Sequence, residues 1–211
     1  DHVTAAWLLQ QATGSRIVVS KRAGVTGADV LVGDGDVIRF GDMGLTVRET
    51  PGHTDGCVTY VSLDEKMAFT GDALLIRGAG RTDFQQGDPQ ALYQSITERI
   101  FSLPDECIVY PGHDYAGRTS STVAEEKAHN PRAGGGANER DFVGYMQNLQ
   151  LPHPKKIDVA VPANLRVGRP ESGEVPAPAS WGPVVVTYAG VPEIDPTWVA
   201  EHPEAVTILD V

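Results

Sequence analysis

Three apolar segments of the chain end in turns of the same kind, and each turn presents a residue type that binds metals. The turns are Thr50-Pro-Gly-His53, Phe69-Thr-Gly-Asp72 and Tyr110-Pro-Gly-His113. Pro and Gly set a tight turn that projects the following side chain from the end of a strand, and loops on a rigid scaffold commonly present ligands. A single histidine of this kind is more often a surface or capped residue. Three such turns in series predict a metal site built on strand ends.

The residue types in these turns limit the metal. Neutral imidazoles and a carboxylate suit Zn or Fe, and do not suit Ca or Mg. A further pair, Asp1–His2, stands directly before a predicted helix over residues 3–11. By itself this pair is as well explained by an aspartate that caps the helix, so its weight depends on the ligand series that follows.

The order of the predicted elements is typical of an α/β fold, with strands dominating the first 85 residues. Alternation and β-branched runs predict strands over residues 16–20, 29–32, 57–63, 66–70 and 106–110, and a hairpin over 37–48. Capping signals predict helices over residues 89–102, from the capping box at 122–125 to just before 131, and from 138 onward.

Composition excludes several classes of partner. The net charge is -11 and the pI is near 4.9, so the chain would repel a nucleic acid or an acidic membrane. No apolar run is long enough to span a membrane. The only cysteines, Cys57 and Cys107, form no CxxC pattern, which favours two small buried residues in a reducing compartment over a disulfide framework.

Taken in order, the candidate ligands resemble those of the metallo-β-lactamase superfamily. That series is His-x-His-x-Asp-His, then a lone His, then Asp, then His, each at a strand end of an αββα sandwich. Here Asp1 and His2 match the last two letters of the first motif, and the later ligands match His53, Asp72 and His113. The resemblance implies an α/β metallo-β-lactamase αββα sandwich over residues 1–166, truncated at its N-terminus.

Four runs narrow the resemblance to the persulfide dioxygenases, the ETHE-like family of this superfamily. They are residues 71–87, Tyr110–Tyr115, Asn130-Pro-Arg132 and residues 157–164. Glyoxalase II, a hydrolase relative, shares a Gly-Arg turn but lacks the Arg-Thr-Asp-Phe-Gln-Gln run found here. Where the family has Gly-Cys-Gly, this chain has Gly78-Ala79-Gly80, so any role for that thiol is lost.

The resemblance implies one iron(II) per chain, which oxidises glutathione persulfide with O₂ to sulfite and glutathione. Family members hold the iron with two histidines and one aspartate, and this facial arrangement leaves positions open for the substrate sulfur and O₂. His53 and Asp72 would be two of the ligands. The third is expected five residues before His2, upstream of Asp1.

The remaining matched positions take supporting roles in the same comparison. Asp1, His2 and His113 would surround the second-metal position and orient water and ligands through hydrogen bonds. Tyr115 would donate its hydroxyl into the site. The glutathione carboxylates need cations, and Arg81 and Arg132 are the candidates, although each arginine could equally be a surface ion-pair partner.

Two alternatives stay open at this stage. One is a dinuclear zinc thioester hydrolase like glyoxalase II, in which Asp1, His2 and His113 would bind a second metal. The other is a scaffold that binds no metal. Because a metal held by two residues lacks the usual ligand count and geometry, the 211-residue chain by itself is expected to be poorly active.

The last part of the chain differs in composition from the rest. Residues 167–190 are rich in proline and predict a linker, whereas residues 191–211 resemble the start of a rhodanese-like α/β domain, with a helix around 197–202 and a strand over 206–211. The family resemblance also suggests a homodimer, and a location in the bacterial cytoplasm or, as the alternative, the mitochondrial matrix.

Overall fold

The computed structural model describes residues 3–176 and 184–205, and the chain divides into two compact units. The first unit comprises Asp1–Glu171 and the second Ser172–Val211. The predicted site residues Asp1 and His2 and the predicted strand over 206–211 lie outside the described residues. The boundaries expected at 166 and 190, and the rhodanese-like character of the tail, stay predictions.

The first unit contains ten strands and five α-helices among its described residues. The strands are β1 (Val18–Ser20), β2 (Val30–Val32), β3 (Val37–Phe40), β4 (Met43–Glu49), β5 (Val58–Ser62), β6 (Met67–Gly71), β7 (Leu74–Leu75), β8 (Gly78–Ala79), β9 (Ile108–Pro111) and β10 (Ser121–Thr122). The helices are α1 (Ala6–Thr13), α2 (Pro89–Gln94), α3 (Val123–His129), α4 (Glu139–Gln147) and α5 (Ile157–Asn164).

Six of these strands form one mixed sheet in the order β10-β9-β6-β5-β4-β3. All neighbours are antiparallel except β6 and β9, which run parallel. Strands β1 and β2 form a separate parallel pair, and β7 and β8 form a short hairpin. The mixed sheet with helices agrees with the predicted α/β class.

The main core covers one face of the six-stranded sheet. Val61, Ala68 and Val109 occupy adjacent register positions on β5, β6 and β9, so they share a face, and all are buried. Their cluster is completed by apolar side chains from the helical part of the chain, among them Leu92, Ile96, Ile100, Leu103, Val123, Phe142 and Met146. A second, smaller cluster joins Trp7, Ile17 and Val167.

Side-chain caps start three helices at the positions that the sequence indicates. Asp88 accepts hydrogen bonds from the amides of Gln90 and Ala91, Thr122 from Glu125, and Asn138 from Asp141. The helix predicted over 89–102 is α2 followed by a π-helical segment, Ser95–Ile100. Helix α1 begins later than predicted, at Ala6.

Some local features were not predicted, and others agree with the sequence. Helix α5 was not predicted, and Pro162 lies inside it. Cys57 and Cys107 are both free thiols, and of these two residues expected to be buried Cys107 is buried and Cys57 is only half-buried. Burial raises the pKa of the Cys57 thiol and raises that of Cys107 to about 11.

No helix among the described residues is long and apolar enough to cross a membrane.

The described part of the second unit is small. It contains an antiparallel pair, β11 (Val184–Val186) with β12 (Pro192–Ile194), and a helix, α6 (Pro196–Glu201). Asp195 caps α6 by accepting a hydrogen bond from the amide of Thr197. The helix predicted around residues 197–202 is therefore confirmed, with Pro196 at its first position.

Candidate metal centre

The strand order brings the three predicted turns to one edge of the sheet. Strand β5 runs antiparallel to both β4 and β6, and β9 runs parallel to β6, so the C-terminal ends of β4, β6 and β9 lie on the same side. His53 follows β4, Asp72 follows β6 directly, and His113 follows β9. Side chains at three distant positions in the sequence therefore meet.

The Asp72 carboxylate lies between the two histidine rings. Its Oδ2 is 3.5 Å from Nε2 of His53, and its Oδ1 is 3.0 Å from Nδ1 of His113. The exposed fractions of the three side chains are 16% for His53, 23% for Asp72 and 33% for His113. The group is thus partly shielded from water yet still accessible from the surface.

The orientation of the His53 ring is set by a main-chain carbonyl. Nδ1 of His53 lies 2.6 Å from the carbonyl oxygen of Arg81. Because a carbonyl oxygen only accepts hydrogen bonds, Nδ1 must carry the proton and donate it. In the neutral ring Nε2 then has a free lone pair on the side of Asp72, which is how histidines that bind metals are usually arranged.

Two glycines let the backbone approach Asp72 closely. A Cβ at Gly112 would lie 2.7 Å from Oδ1 of Asp72, and a Cβ at Gly80 would lie 2.1 Å from the Asp72 carbonyl oxygen. The amide of Gly80 donates to that same carbonyl oxygen at 2.9 Å. This hydrogen bond closes the segment that begins at Asp72 and contains strand β8.

The His53 turn is held against helix α2. Gly52 has a φ of 135°, and a Cβ there would lie 2.4 Å from backbone atoms of Leu92. The Gly52 carbonyl accepts from the amide of Asp88 at 2.8 Å, and the Pro51 carbonyl accepts from the hydroxyl of Ser95 at 2.7 Å. The positive φ of Gly52 and its close approach to Leu92 explain why glycine precedes the histidine.

Two cavities in the first unit open beside the group. One, of about 590 Å³, includes His53 and Asp72 in its lining. The other, of about 350 Å³, includes His113 and Tyr115. Polar side chains that also line the larger cavity are Arg22, Thr54, Asp55, Gln85, Gln86 and Asn164. The smaller cavity is more apolar, with Leu75, Ile76, Met146, Leu149 and Leu151 beside Arg132.

The predicted arginines have different surroundings. Arg81 donates two hydrogen bonds to the Asp83 carboxylate, from Nε and Nη2, each at 2.7 Å. Its guanidinium also lies over the Phe84 ring, 4.4 Å from the ring centre. This hydrogen bonding lowers the pKa of Asp83. Arg132 lies over the Tyr145 ring at 3.5 Å and lines the smaller cavity. Arg132 thus lines a cavity beside the site, and the Arg81 guanidinium is paired with Asp83.

Tyr115 lies against His113. The Tyr115 and His113 ring centres are 4.8 Å apart in an edge-to-face arrangement, and Tyr115 is 89% exposed. Within residues 3–176 and 184–205, no three His, Cys, Asp or Glu side chains are arranged to hold a metal ion. The described part of the site supplies donors without a complete set of ligands.

Three further residues that no sequence pattern assigns to the site line the larger cavity: Gln85, Gln86 and Asn164. Gln85 and Gln86 both have left-handed backbone conformations, with φ of 52° and 58°. The sequence signal that could have indicated these residues is their position in the runs that resemble the family. The two glutamines lie in the run over 71–87, and Asn164 ends the run over 157–164.

Comparison with known proteins agrees with this geometry. The family model for the metallo-beta-lactamase superfamily matches residues 1–113. The mouse protein named persulfide dioxygenase ETHE1, mitochondrial, is 53% identical over 169 residues, a match that covers 80% of this chain. The chain spans 65% of the length of that relative.

A solved structure and a hydrolase give two further comparisons. The crystal structure of ETHE1 from Myxococcus xanthus is 50% identical, with a TM-score of 0.76, and the match covers 80% of this chain and 73% of that one. A hydroxyacylglutathione hydrolase of Methylobacterium nodulans is 40% identical over 117 residues, which is 54% of this chain and 45% of the hydrolase. Similarity to the dioxygenases thus extends further along the chain.

Proposed function

Because the chain belongs to the metallo-β-lactamase superfamily, we propose that it carries the metal centre of an iron(II)-dependent persulfide dioxygenase, which oxidises glutathione persulfide with O₂ to sulfite and glutathione. The observation that carries this proposal is the pairing of His53 with Asp72 at the strand ends, in a chain 53% identical to a named persulfide dioxygenase. Superfamily membership itself implies that a metal is bound.

The donors present fit an iron site. An imidazole nitrogen with its partner nitrogen hydrogen-bonded, next to a carboxylate, is a donor set that suits iron or zinc. His53 and Asp72 would hold the metal, with a further histidine from before Asp1 as the third ligand. When bound, the iron supplies positions at which the persulfide sulfur and O₂ can be held together.

The surrounding residues would bind and orient the substrate. Arg132 offers a guanidinium to a glutathione carboxylate at the smaller cavity, and pairing with a charged donor makes such a hydrogen bond stronger. Tyr115 and His113 line the same cavity and can donate hydrogen bonds to the substrate end nearest Asp72. We propose that Asp1 and His2 orient water around this centre. Arg81 would act through its carbonyl, which orients His53, with its guanidinium held by Asp83.

Metal content and product analysis of the full-length gene product test the proposal. After loading with Fe(II) without oxygen, we expect about one iron per chain, and then O₂ uptake and sulfite formation with glutathione persulfide. The Asp72→Asn variant should lose most of the activity, because a neutral amide is a poor iron ligand. Two bound zinc ions, with hydrolysis of a lactoyl thioester and no O₂ uptake, would instead establish the zinc hydrolase alternative.

The oligomeric state and the cellular location of the protein stay predictions. A homodimer and a bacterial cytoplasmic location are expected from the family resemblance, and the mammalian relatives are named as mitochondrial proteins. Sedimentation of the purified gene product would test the dimer directly.

A further inference from the structure

A fully buried carboxylate lies next to the residues that line the smaller cavity. Glu126, on helix α3, has a side chain with 0% exposure. Its Oε1 accepts from the hydroxyl of Ser121 at 2.7 Å, and its Oε2 accepts from the side-chain amide of Asn130 at 2.8 Å. A buried carboxylate needs partners of this kind because an unpaired charge in the protein interior is very unfavourable.

The remaining partner of Glu126 is Arg77, which binds it twice. The Arg77 backbone amide donates to Oε2 of Glu126 at 2.9 Å, and the Arg77 guanidinium donates to Oε1. The same guanidinium also pairs with Glu125. Arg77 has a φ of 58°, a left-handed conformation that is unfavourable for a side chain of this size. The contacts with Glu126 therefore hold the backbone of Arg77 in an unfavourable state.

Arg77 lies at the tip of the β7–β8 hairpin, and the base of that hairpin belongs to the metal centre. The hairpin starts two residues after Asp72, at Leu74, and is closed where the Gly80 amide donates to the Asp72 carbonyl at 2.9 Å. The next carbonyl, that of Arg81, accepts from His53 at 2.6 Å. A shift of the hairpin would therefore move both a candidate ligand and the group that orients the other one.

Asn130 extends the same network to the smaller cavity. Its side-chain amide donates to Glu126 and, at 3.0 Å, to the carbonyl of Gly78 in the hairpin. Its Oδ1 accepts from the amide of Arg132 at 2.9 Å. The turn that presents Arg132 is thus joined to the hairpin that presents Asp72 through one buried carboxylate.

Stability alone is a poor explanation for this arrangement. Replacing a buried ion pair with apolar residues of similar volume is often neutral or stabilising, because removing two charges from water is so unfavourable. The network does fix the positions of the donor groups around Glu126, because each hydrogen bond to its carboxylate requires the donor at one place.

We propose that Glu126 is a positioning residue, which holds the β7–β8 hairpin and the Asn130–Arg132 turn in one arrangement so that Asp72, the Arg81 carbonyl and Arg132 keep their places. This inference rests on the proposed function, because the groups that Glu126 positions are those that would bind the metal and the anionic substrate. The hydrogen bonds of Glu126 go to Arg77, Ser121 and Asn130, so it acts on Asp72 and Arg132 through Arg77 and Asn130.

The test compares Glu126→Gln with two control variants in the full-length gene product. Glu126→Gln keeps the shape but removes the charge and one acceptor. We expect metal affinity and kcat/KM each to fall by about tenfold or more, the usual effect of removing partners that orient ligands. The absorption bands of bound Co(II) should also shift, because they report the geometry of the ligands.

The controls separate positioning from general loss of stability. Lys127→Gln, on the same helix, removes only the exposed ion pair with Asp105 and should change none of these values. Val123→Ala removes a fully buried apolar group from α3, and should lower the melting temperature while leaving the Co(II) bands and KM unchanged. If Glu126→Gln does not fold, Ser121→Ala removes one hydrogen bond from Glu126 and should shift the same bands less.

Two results would overturn the inference. One is a Glu126→Gln or, in its place, Ser121→Ala protein with parental Co(II) bands and metal affinity. The other is a Val123→Ala protein whose bands change as much. Failure of the proposed function can be told apart from failure of this inference. A parent protein that binds Co(II) but forms no sulfite from persulfide would contradict the proposed function. The comparison of Co(II) bands among the variants would still decide the role of Glu126.

Discussion

At the scale of single residues, the lack of a side chain at Gly112 leaves the space that Asp72 occupies. A Cβ at position 112 would lie 2.7 Å from Oδ1 of Asp72, well inside contact distance. In Gly112→Ala the carboxylate or the turn must shift from its place, so we expect metal affinity to fall at least tenfold. Titration with Fe(II) or Co(II), followed by metal analysis, measures this.

Gly144→Ala is the matched control for that substitution. Gly144 lies within helix α4, and a Cβ there would meet no atom within 4 Å. Alanine favours a helix over glycine by roughly 0.5–1 kcal/mol, so this variant should be slightly more stable and bind metal normally. Equal metal affinity in both variants would show that the close approach at Gly112 is unimportant.

The Arg81–Asp83 pair gives a residue-scale prediction in pH. The hydrogen bond from Arg81 lowers the pKa of Asp83 in the folded protein, so the stability it contributes is present above the unfolded pKa of about 4 and is lost as the pH falls through the lower folded pKa. The free energy of unfolding should therefore differ between the parent and Asp83→Asn at pH 7, and the difference should shrink below about pH 4. Because the pair is partly exposed, the difference at pH 7 should not exceed about 1 kcal/mol.

Urea unfolding of both proteins from pH 3 to pH 7 measures that difference. Asp64→Asn is a suitable comparison. A hydrogen bond from Ser62 also lowers the pKa of Asp64, which lies in the turn between β5 and β6 and does not pair with Arg81. Both variants should follow the same pH trend, but only Asp83→Asn should weaken metal binding, since Arg81 also orients His53. A stability difference that grows on acidification would contradict the assignment.

At the scale of elements, the cap of helix α2 is coupled to the His53 turn. Asp88 accepts from two amides at the start of α2, and its own amide donates to the carbonyl of Gly52. Asp88→Ala removes the capping side chain, so we expect a loss of about 1 kcal/mol in the free energy of unfolding. Thermal and urea unfolding measure it, and Asp88→Asn, which keeps a capping oxygen, should lose much less. Equal losses in both variants would contradict a capping role.

Elements whose signals are local could be predicted from the sequence, and those defined by distant contacts could not. The caps at Asp88, Thr122 and Asn138 depend on residues two or three positions apart, and all are present. The Arg77–Glu126 pair joins residues 49 positions apart, so no local pattern indicates it. The same limit applies to the candidate site.

Arg81 illustrates that limit within the site. The family resemblance makes it a candidate to bind a glutathione carboxylate, and in the structure its carbonyl contacts His53. The sequence could not reveal that Asp83, two residues away, pairs with its guanidinium, because side-chain direction depends on the backbone of the turn. The positions of His53, Asp72 and His113 were predictable because each follows a recognisable strand.

At the scale of the whole molecule, the sheet topology explains why the candidate site can be assembled from turns. Strands β4, β6 and β9 point the same way with β5 between the first two, so three turns separated by up to 60 positions share one edge. The edge is rigid because each of the three strands has paired neighbours on both sides. Changes in the turns can therefore alter the metal site while leaving the sheet intact.

The end of the first unit gives a whole-molecule prediction. The sequence predicts a boundary after residue 166, whereas the compact unit extends to Glu171 and includes Val167. Val167 is 3% exposed, packs with Trp7 and Ile17, and accepts a hydrogen bond from the Trp7 amide at 3.0 Å. A chain ending at 166 should thus be less stable than one ending at 171, by roughly 1.5–3 kcal/mol for the lost burial of one valine.

Urea unfolding of the two shortened proteins, followed by tryptophan fluorescence, measures the comparison directly. Trp7 lies in the affected cluster, so its emission should shift towards that of an exposed indole in the shorter protein, because the cluster opens to water there. In Val167→Ala within the longer protein, the hydrogen bond from Trp7 is kept while part of the apolar contact is lost, so its stability should fall between the two. Equal stability of the proteins ending at 166 and 171 would place the boundary where the sequence predicts it and would show that the Trp7 cluster contributes little to the fold.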